Sequence, residues 1–237
     1  MDSPLRAVFF DAGHTLIYAH PDLGTLYAET TARFGVRLPP ERFVEAFVPV
    51  FREFTRGPGL GMGASDAEDY AMWRRITRAI YERLGGLGIA DFEGWFDALY
   101  RRFGEPGSWW FYVDVEPVLG ALRGRGLRLG VVSNWDTRLR GIAAGLGLDR
   151  LVDFVVISAE VGARKPDPMI FEEALRRAGV KAGEAAHVGD LFEEDVVGAR
   201  RAGLRAFLID RQKRITAREA PEGVPLLKTL DELLQLV

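Results

Sequence analysis

Five short apolar runs punctuate the chain, at residues 7–10, 127–132, 154–157, 186–188 and 206–209, each closed by turn-forming or polar residues. Runs of this length without polar alternation are the pattern of strands buried on both faces. Between the later runs the spacing changes to a helical one and predicts helices over 137–146, 168–178 and 195–202. Gly179 and Gly203 stand just past two of them as C-terminal stops. Strand and helix alternating in this way predict an α/β fold with a parallel sheet. The stretch Thr229-Leu230-Asp231-Glu232 has the capping-box pattern and predicts a last short helix.

Residues 17–107 read differently, because their apolar positions keep helical spacing throughout. Trp73, Ile76, Ile80 and Leu84 form one stripe, and Phe92, Trp95, Leu99 and Phe103 another. Phe43 and Phe47 open a third, which Pro49 is expected to kink or end. Pro58-Gly59, Gly61 and Gly63 mark a loop within this region, and Gly104-Glu105-Pro106-Gly107 a hinge back to the sheet. The expected organisation is an α/β core over 1–16 and 108–237, interrupted by a helical insertion over 17–107.

Composition narrows the function classes. The chain has 237 residues, 48% hydrophobic and 27% charged with a net charge of −3, which describes a globular protein rather than a disordered tail or a basic nucleic-acid binder. With no cysteine, disulfides, thiolate metal sites and a cysteine nucleophile are excluded, so any metal is held by oxygen or histidine. No apolar run approaches the roughly 18 residues that suggest a membrane span, and Asp2, Arg6 and Asp11 interrupt any signal-peptide pattern. A cytoplasmic protein with neither a nucleic-acid nor a membrane partner is expected. Among 31 basic residues only Lys165, Lys181, Lys213 and Lys228 are lysines, so the position of each is informative.

Ligands of open α/β sheets bind beyond the carboxyl ends of the strands. Asp11 follows the first predicted strand and Ser133-Asn134 the second. Lys165-Pro166 comes after the third, and Gly189-Asp190, with Asp195 five residues on, after the fourth. A carboxylate nucleophile, a hydroxyl, an ammonium and an acidic pair suit phosphoryl transfer to an aspartate. Phosphate and Asp11 repel one another, so attack requires cations: Lys165, and a metal such as Mg²⁺ on the hard oxygens of Asp11 and Asp190. Each residue also has a plainer reading. Asp11 could cap a turn, Ser133 and Asn134 could cap the next helix, Lys165 could lie on the surface, and Glu193 and Glu194 could form a solvated helix face or, at most, support the site's residues from behind. His187 reads as a hydrogen-bonded core histidine. Trp109, Trp110, Phe111 and Tyr112 read as packing at the domain junction, and Tyr18 could face the cleft.

Taken together, "FFDAGHTL", "VVSNWD", "ARKPDP" and "GDLFEEDVVGARRAG", in that order, resemble the motifs of the haloacid dehalogenase-like (HAD) hydrolase superfamily, and in particular a branch of phosphatases. The resemblance implies a Rossmann-like parallel sheet core with an inserted helical cap domain of C1 type. It implies a covalent aspartyl phosphate on Asp11, with phosphate contacts from Ser133 and Lys165 and with Asn134 and His14 beside them. It also implies Mg²⁺ held by Asp11, the carbonyl of Gly13 and Asp190, with Asp195 nearby. The substrate implied is a small phosphorylated metabolite, and the assembly a monomer or homodimer.

One position departs from the pattern: where the superfamily's phosphatases carry a second Asp as general acid and base, this chain has Gly13. General acid–base catalysis contributes roughly 10²–10⁴ in rate. The gap can be met by a substrate with a good leaving group such as an acyl phosphate, by His14 or a water, or by a different reaction. Haloacid dehalogenases place an aromatic residue there and work without metal, against which the retained Gly189-Asp190 argues. Phosphonatases need a cap lysine, and the first lysine here is Lys165. The expectation is a Mg²⁺-dependent phosphatase of reduced or narrow activity. The alternative is a pseudoenzyme that binds a phosphometabolite or a protein partner.

Overall fold

The structure, a computed structural model, describes residues 4–56, 63–213, 215 and 222–237. Six strands form one parallel sheet: β1 (Ala7–Phe10), β4 (Arg128–Ser133), β5 (Phe154–Ile157), β6 (Ala185–Gly189), β7 (Arg205–Ile209) and β8 (Leu226–Leu227). Their order is β5-β4-β1-β6-β7-β8. The strand β1 lies at the centre, with Phe10 paired to Val131 on one side and Val188 on the other. All five runs read as strands are strands, each within a residue or so of the expected limits.

The sheet is covered on both faces, which is why its strands carry no polar alternation. Val8 and Phe10 join the apolar cluster on one side, with Val118, Leu122 and Ile142. Ala7 and Phe9, one residue out of phase, join the other, with Ile170, Phe171 and Val196. The covering helices are α5 (Val115–Gly124), α6 (Arg138–Leu146), α7 (Leu148–Leu151), α8 (Ser158–Val161), α9 (Pro168–Ala178) and α10 (Gly198–Arg201). Gly179 closes α9 in the left-handed conformation at φ 68°, and Gly203 follows α10 at φ 81°. The helix expected over 195–202 instead begins as a π-helical segment, Phe192–Val197, before α10.

Between the first and second core strands lie α1 (Leu23–Ala32), α2 (Pro40–Arg56), α3 (Asp66–Arg83) and α4 (Phe92–Arg102). They share their own apolar cluster around Phe43, Ile76, Ile80, Trp95 and Phe96. Pro49 does not end its helix, because α2 runs through it to Arg56. The proline nitrogen cannot donate the hydrogen bond to the turn before it, so that bond is absent from the helix. Gly63 lies just before α3, whereas Pro58-Gly59 and Gly61 of the predicted loop lie outside the described residues.

Residues 17–19 do not follow the helical spacing expected from residue 17 onward. They form β2 (Ile17–Ala19), antiparallel to β3 (Trp109–Phe111), with Tyr18 opposite Trp110. This ribbon holds three of the four consecutive aromatics: Trp109 packs on the core while Trp110, 53% exposed, stacks on His20 at 3.6 Å. The C-terminal element is a 3₁₀ helix, Leu230–Gln235, without the expected capping box. The Thr229 side chain makes no cap bond, and Glu232 accepts from the Lys228 nitrogen instead. Asp66, in the first turn of α3, accepts from the backbone nitrogen and hydroxyl of Thr137 at 2.8 and 2.7 Å, joining the inserted helices to the start of α6. No helix among the described residues is long and apolar enough to cross a membrane.

Candidate active site

The carboxyl ends of β1, β4 and β6 converge, and the side chains that follow them meet. Asp11 leaves β1 with its backbone nitrogen donating to the Val188 carbonyl at 2.9 Å, which fixes the loop on the neighbouring strand. Ser133, the last residue of β4, donates its hydroxyl to Asp11 Oδ1 at 2.9 Å. Lys165, 1% exposed, donates Nζ to the same oxygen at 2.7 Å and to Asp195 Oδ1 at 2.6 Å. Lys165 is therefore not a surface lysine. Residues separated by more than a hundred positions in sequence share one oxygen atom.

Asn134 has a different task from the one its sequence position suggests. Its amide oxygen accepts from the Lys165 backbone nitrogen at 2.7 Å, and its amide nitrogen donates to the Lys165 carbonyl at 3.0 Å and to Glu194 Oε2 at 2.8 Å. The carboxamide is thus committed to holding Lys165 in place. Glu194 is correspondingly no solvated face: it is half-buried, and burial pushes its carboxyl up to about 7 against the pull of Lys165. Only Glu193 faces solvent as read.

Asp195 ties this network to the fold. Its Oδ1 faces Lys165 and, at 2.9 Å, His187 Nε2, while Oδ2 accepts from the Leu191 nitrogen at 2.9 Å. Burial alone would raise this carboxyl, but the Lys165 ammonium and the His187 bond outweigh it and hold Asp195 well below the usual carboxylate range. Burial likewise works against the Lys165 ammonium, and Asp11 and Asp195 overcome it and raise Lys165 instead. His187 is lowered by its complete burial, so it is neutral and donates from Nε2, its Nδ1 having no hydrogen-bond partner. It is the core histidine the sequence suggested.

A glycine at 189 is a geometric requirement here. A Cβ on Gly189 would overlap the Asp195 carboxyl carbon, far inside van der Waals separation. Gly189→Ala is therefore expected to lower stability by about 1–3 kcal/mol or more through overpacking of a buried carboxylate. The midpoint of a urea unfolding curve measures it, and an unchanged midpoint would show that Asp195 moves aside freely.

Asp11, Asp190 and Asp195 each offer a carboxylate oxygen, and these oxygens lie within 4.8 Å of one another. An all-oxygen donor set is what a hard cation such as Mg²⁺ takes, so the residues fit that ion. Asp195 is engaged at both oxygens by Lys165, His187 and the Leu191 nitrogen. His14 is exposed, in the left-handed region at φ 56°, with Nδ1 3.3 Å from Gln212 Nε2.

Two further contacts, neither signalled by spacing along the chain, brace the loops of the site. Arg211 donates to both oxygens of buried Asp114 at 2.9 Å and to the Thr15 carbonyl at 2.9 Å, bracing the loop after β1 from the loop after β7. Trp135 stands beside Gly13, its ring edge 3.4 Å from where a Cβ on that glycine would sit, and it packs edge-on against Trp109 with ring centroids 4.9 Å apart. Neither partner of either contact is near the other in sequence.

The haloacid dehalogenase-like hydrolase family model matches residues 5–203. The chain belongs to that family. This haloacid dehalogenase-like hydrolase is 32% identical over 236 residues to the haloacid dehalogenase-like hydrolase domain-containing protein 3 of Danio rerio, covering 98% of this chain and 96% of that one. It is 39% identical over 239 residues to a glyceraldehyde 3-phosphate phosphatase of Methanothermobacter thermautotrophicus, covering 98% of both. Among solved structures, a HAD phosphatase from Thermococcus onnurineus matches with a TM-score of 0.65 at 26% identity, over 98% of this chain and 97% of that one.

Proposed function

We propose that this HAD-like hydrolase is a Mg²⁺-dependent phosphatase acting through an aspartyl phosphate on a small phosphorylated metabolite. The observation that carries the reading is the convergence of Ser133 and Lys165 on one oxygen of Asp11. Two donors on Oδ1 orient the carboxylate so that Oδ2 can attack phosphorus in line. The Lys165 ammonium lowers the repulsion between that carboxylate and the incoming phosphate, and Ser133 and Lys165 are placed to hold phosphate oxygens as charge moves onto them. Asn134 and Asp195 position Lys165 from its backbone and its ammonium respectively. Asp11, Asp190 and the Gly13 carbonyl would hold the ion, with Asp195 adding charge nearby. Bound there, Mg²⁺ supplies positive charge to the phosphate.

In this reading the helices α1–α4 act as a cap that excludes water and selects the substrate, on a core made of residues 1–16 and 108–237. Support comes from their separate apolar cluster and from the phosphatase names of the similar proteins. Gly13 favours one second reading, a binding protein whose catalytic step has been lost. Phosphate release from p-nitrophenyl phosphate and acetyl phosphate, measured with Mg²⁺ and with EDTA, separates the two. Release with Mg²⁺ that EDTA abolishes is expected. Tight binding of inorganic phosphate without turnover of either compound would favour the binding protein.

A further inference from the structure

Trp135 and Gly13 face one another beside the nucleophile, on loops that each reach Asp11: Gly13 lies two residues beyond it, and Trp135 two residues beyond the Ser133 that bonds it. The ring edge lies 3.4 Å from where a Cβ at position 13 would project, which is van der Waals contact. Trp135 is pinned there. Its backbone nitrogen donates to Ser158 Oγ at 3.0 Å, its carbonyl accepts from that hydroxyl at 3.1 Å, and Trp109 packs against its ring. A side chain at 13 would start in contact with the indole edge, which gives this wall of the site an apolar surface.

The side chains around Asp11 are held by other partners. Lys165 is shared between two carboxylates, Asp195 is bonded at both oxygens, and His14 is exposed and beside Gln212. Glu194 is held by the Asn134 amide. We propose that the substrates of this site are acyl phosphates, with Trp135 the specificity-determining wall against which the acyl leaving group rests. The inference rests on the phosphatase reading above and deepens it.

The chemistry balances without a proton donor. An Asp11 oxygen forms a bond to phosphorus, the bond from phosphorus to the acyl oxygen breaks, and its electron pair leaves on the acyl carboxylate. A carboxylate is the anion of an acid with a pKa of about 4, so it departs unprotonated at neutral pH. An alkyl ester must instead expel an alkoxide, about as basic as hydroxide, whose conjugate acid has a pKa near 16. Water then attacks phosphorus, Asp11 is released as a carboxylate, and the proton of the water passes to the departing phosphate. Both steps have a carboxylate as leaving group. Alkyl phosphates are thus disfavoured here, although the name of the archaeal relative states one.

The test compares acetyl phosphate with glycerol 3-phosphate, both with Mg²⁺, for wild type, Gly13→Asp, Trp135→Phe and Gly13→Asp combined with Trp135→Ala. Wild type is expected to favour acetyl phosphate by at least about 10² in kcat/KM, the lower end of what a missing general acid costs. Gly13→Asp alone should raise glycerol 3-phosphate turnover only a few-fold, and the double variant by about 10². Comparable wild-type turnover of the two compounds overturns the proposal, and loss of the alkyl activity alone in Glu194→Gln would then name Glu194 as the donor. Full rescue by Gly13→Asp alone overturns the role of Trp135. Silence of every variant on both compounds, with folding intact by circular dichroism, overturns the phosphatase reading itself and the inference with it. A readout free of turnover is indole emission in Asp11→Asn: quenching by p-nitrophenyl phosphate is expected to shrink when Trp135→Phe is added, and a fractional quench that does not shrink would show that the leaving group rests elsewhere.

Discussion

Asp11→Asn is expected to lower kcat for acetyl phosphate by at least about 10³, to the background of the assay, while leaving the protein folded. The substitution keeps the shape and one acceptor oxygen, so Ser133 and Lys165 retain a partner, and Lys165 keeps Asp195. What it removes is the anionic oxygen that forms the bond to phosphorus, and an amide is too weak a nucleophile to replace it. A thermal unfolding curve close to that of wild type, alongside lost turnover, is the expected pair of results. Retained turnover would show that Asp11 is a structural residue and that water or another group attacks. Loss of both would leave nucleophile and scaffold roles unresolved by this variant, and Asp11→Glu, which keeps the charge but displaces the oxygens, separates them: it should fold and remain nearly inactive.

The second large effect belongs to Lys165. Lys165→Met is nearly isosteric and apolar, yet it strands the carboxylates of Asp11 and Asp195 around a buried position with no cation between them. Removing one partner of a buried ion pair costs about 3–5 kcal/mol, because the surviving charge has lost its water and its counter-charge together. The expected result is a fall of that size in unfolding free energy, read from urea titration, together with loss of turnover. Combining it with Asp195→Asn should recover part of the stability, since the second change removes one of the stranded charges, but none of the activity. A stability change below about 1 kcal/mol in the single variant would mean that the site admits enough water to solvate both carboxylates, as at an exposed pair. That outcome would contradict the burial of Lys165 and Asp195.

How far the chain could be read depends on how far apart the interacting residues lie. Strands at 7–10 and 154–157 were legible to the residue because burial on both faces leaves no polar position to blur them. The helix Pro168–Ala178 was equally clear, with proline at its first turn and glycine past its end. The ribbon of β2 and β3 was not, since three-residue strands carry no period and their pairing joins Ile17 to Phe111. A capping box was expected from the Thr229 pattern, but the segment is a 3₁₀ helix and Glu232 found the Lys228 nitrogen first. The helix α5 has Val115, Val118, Leu119 and Leu122 in a stripe that the same reasoning could have found.

The sequence by itself determined the alternation of strands and helices, the residues standing at the strand ends, and the absence of a carboxylate at position 13. Those are local properties, set by hydrophobic period, turn chemistry and residue identity. Only the tertiary structure decided that Asn134 grips the Lys165 backbone, that Glu194 turns inward to meet it, and that Trp135 closes against Gly13. Each of those is a contact between chain segments brought together by the parallel order of the sheet. A side chain's partner is then fixed by which strand ends adjoin, and no spacing along the chain encodes that.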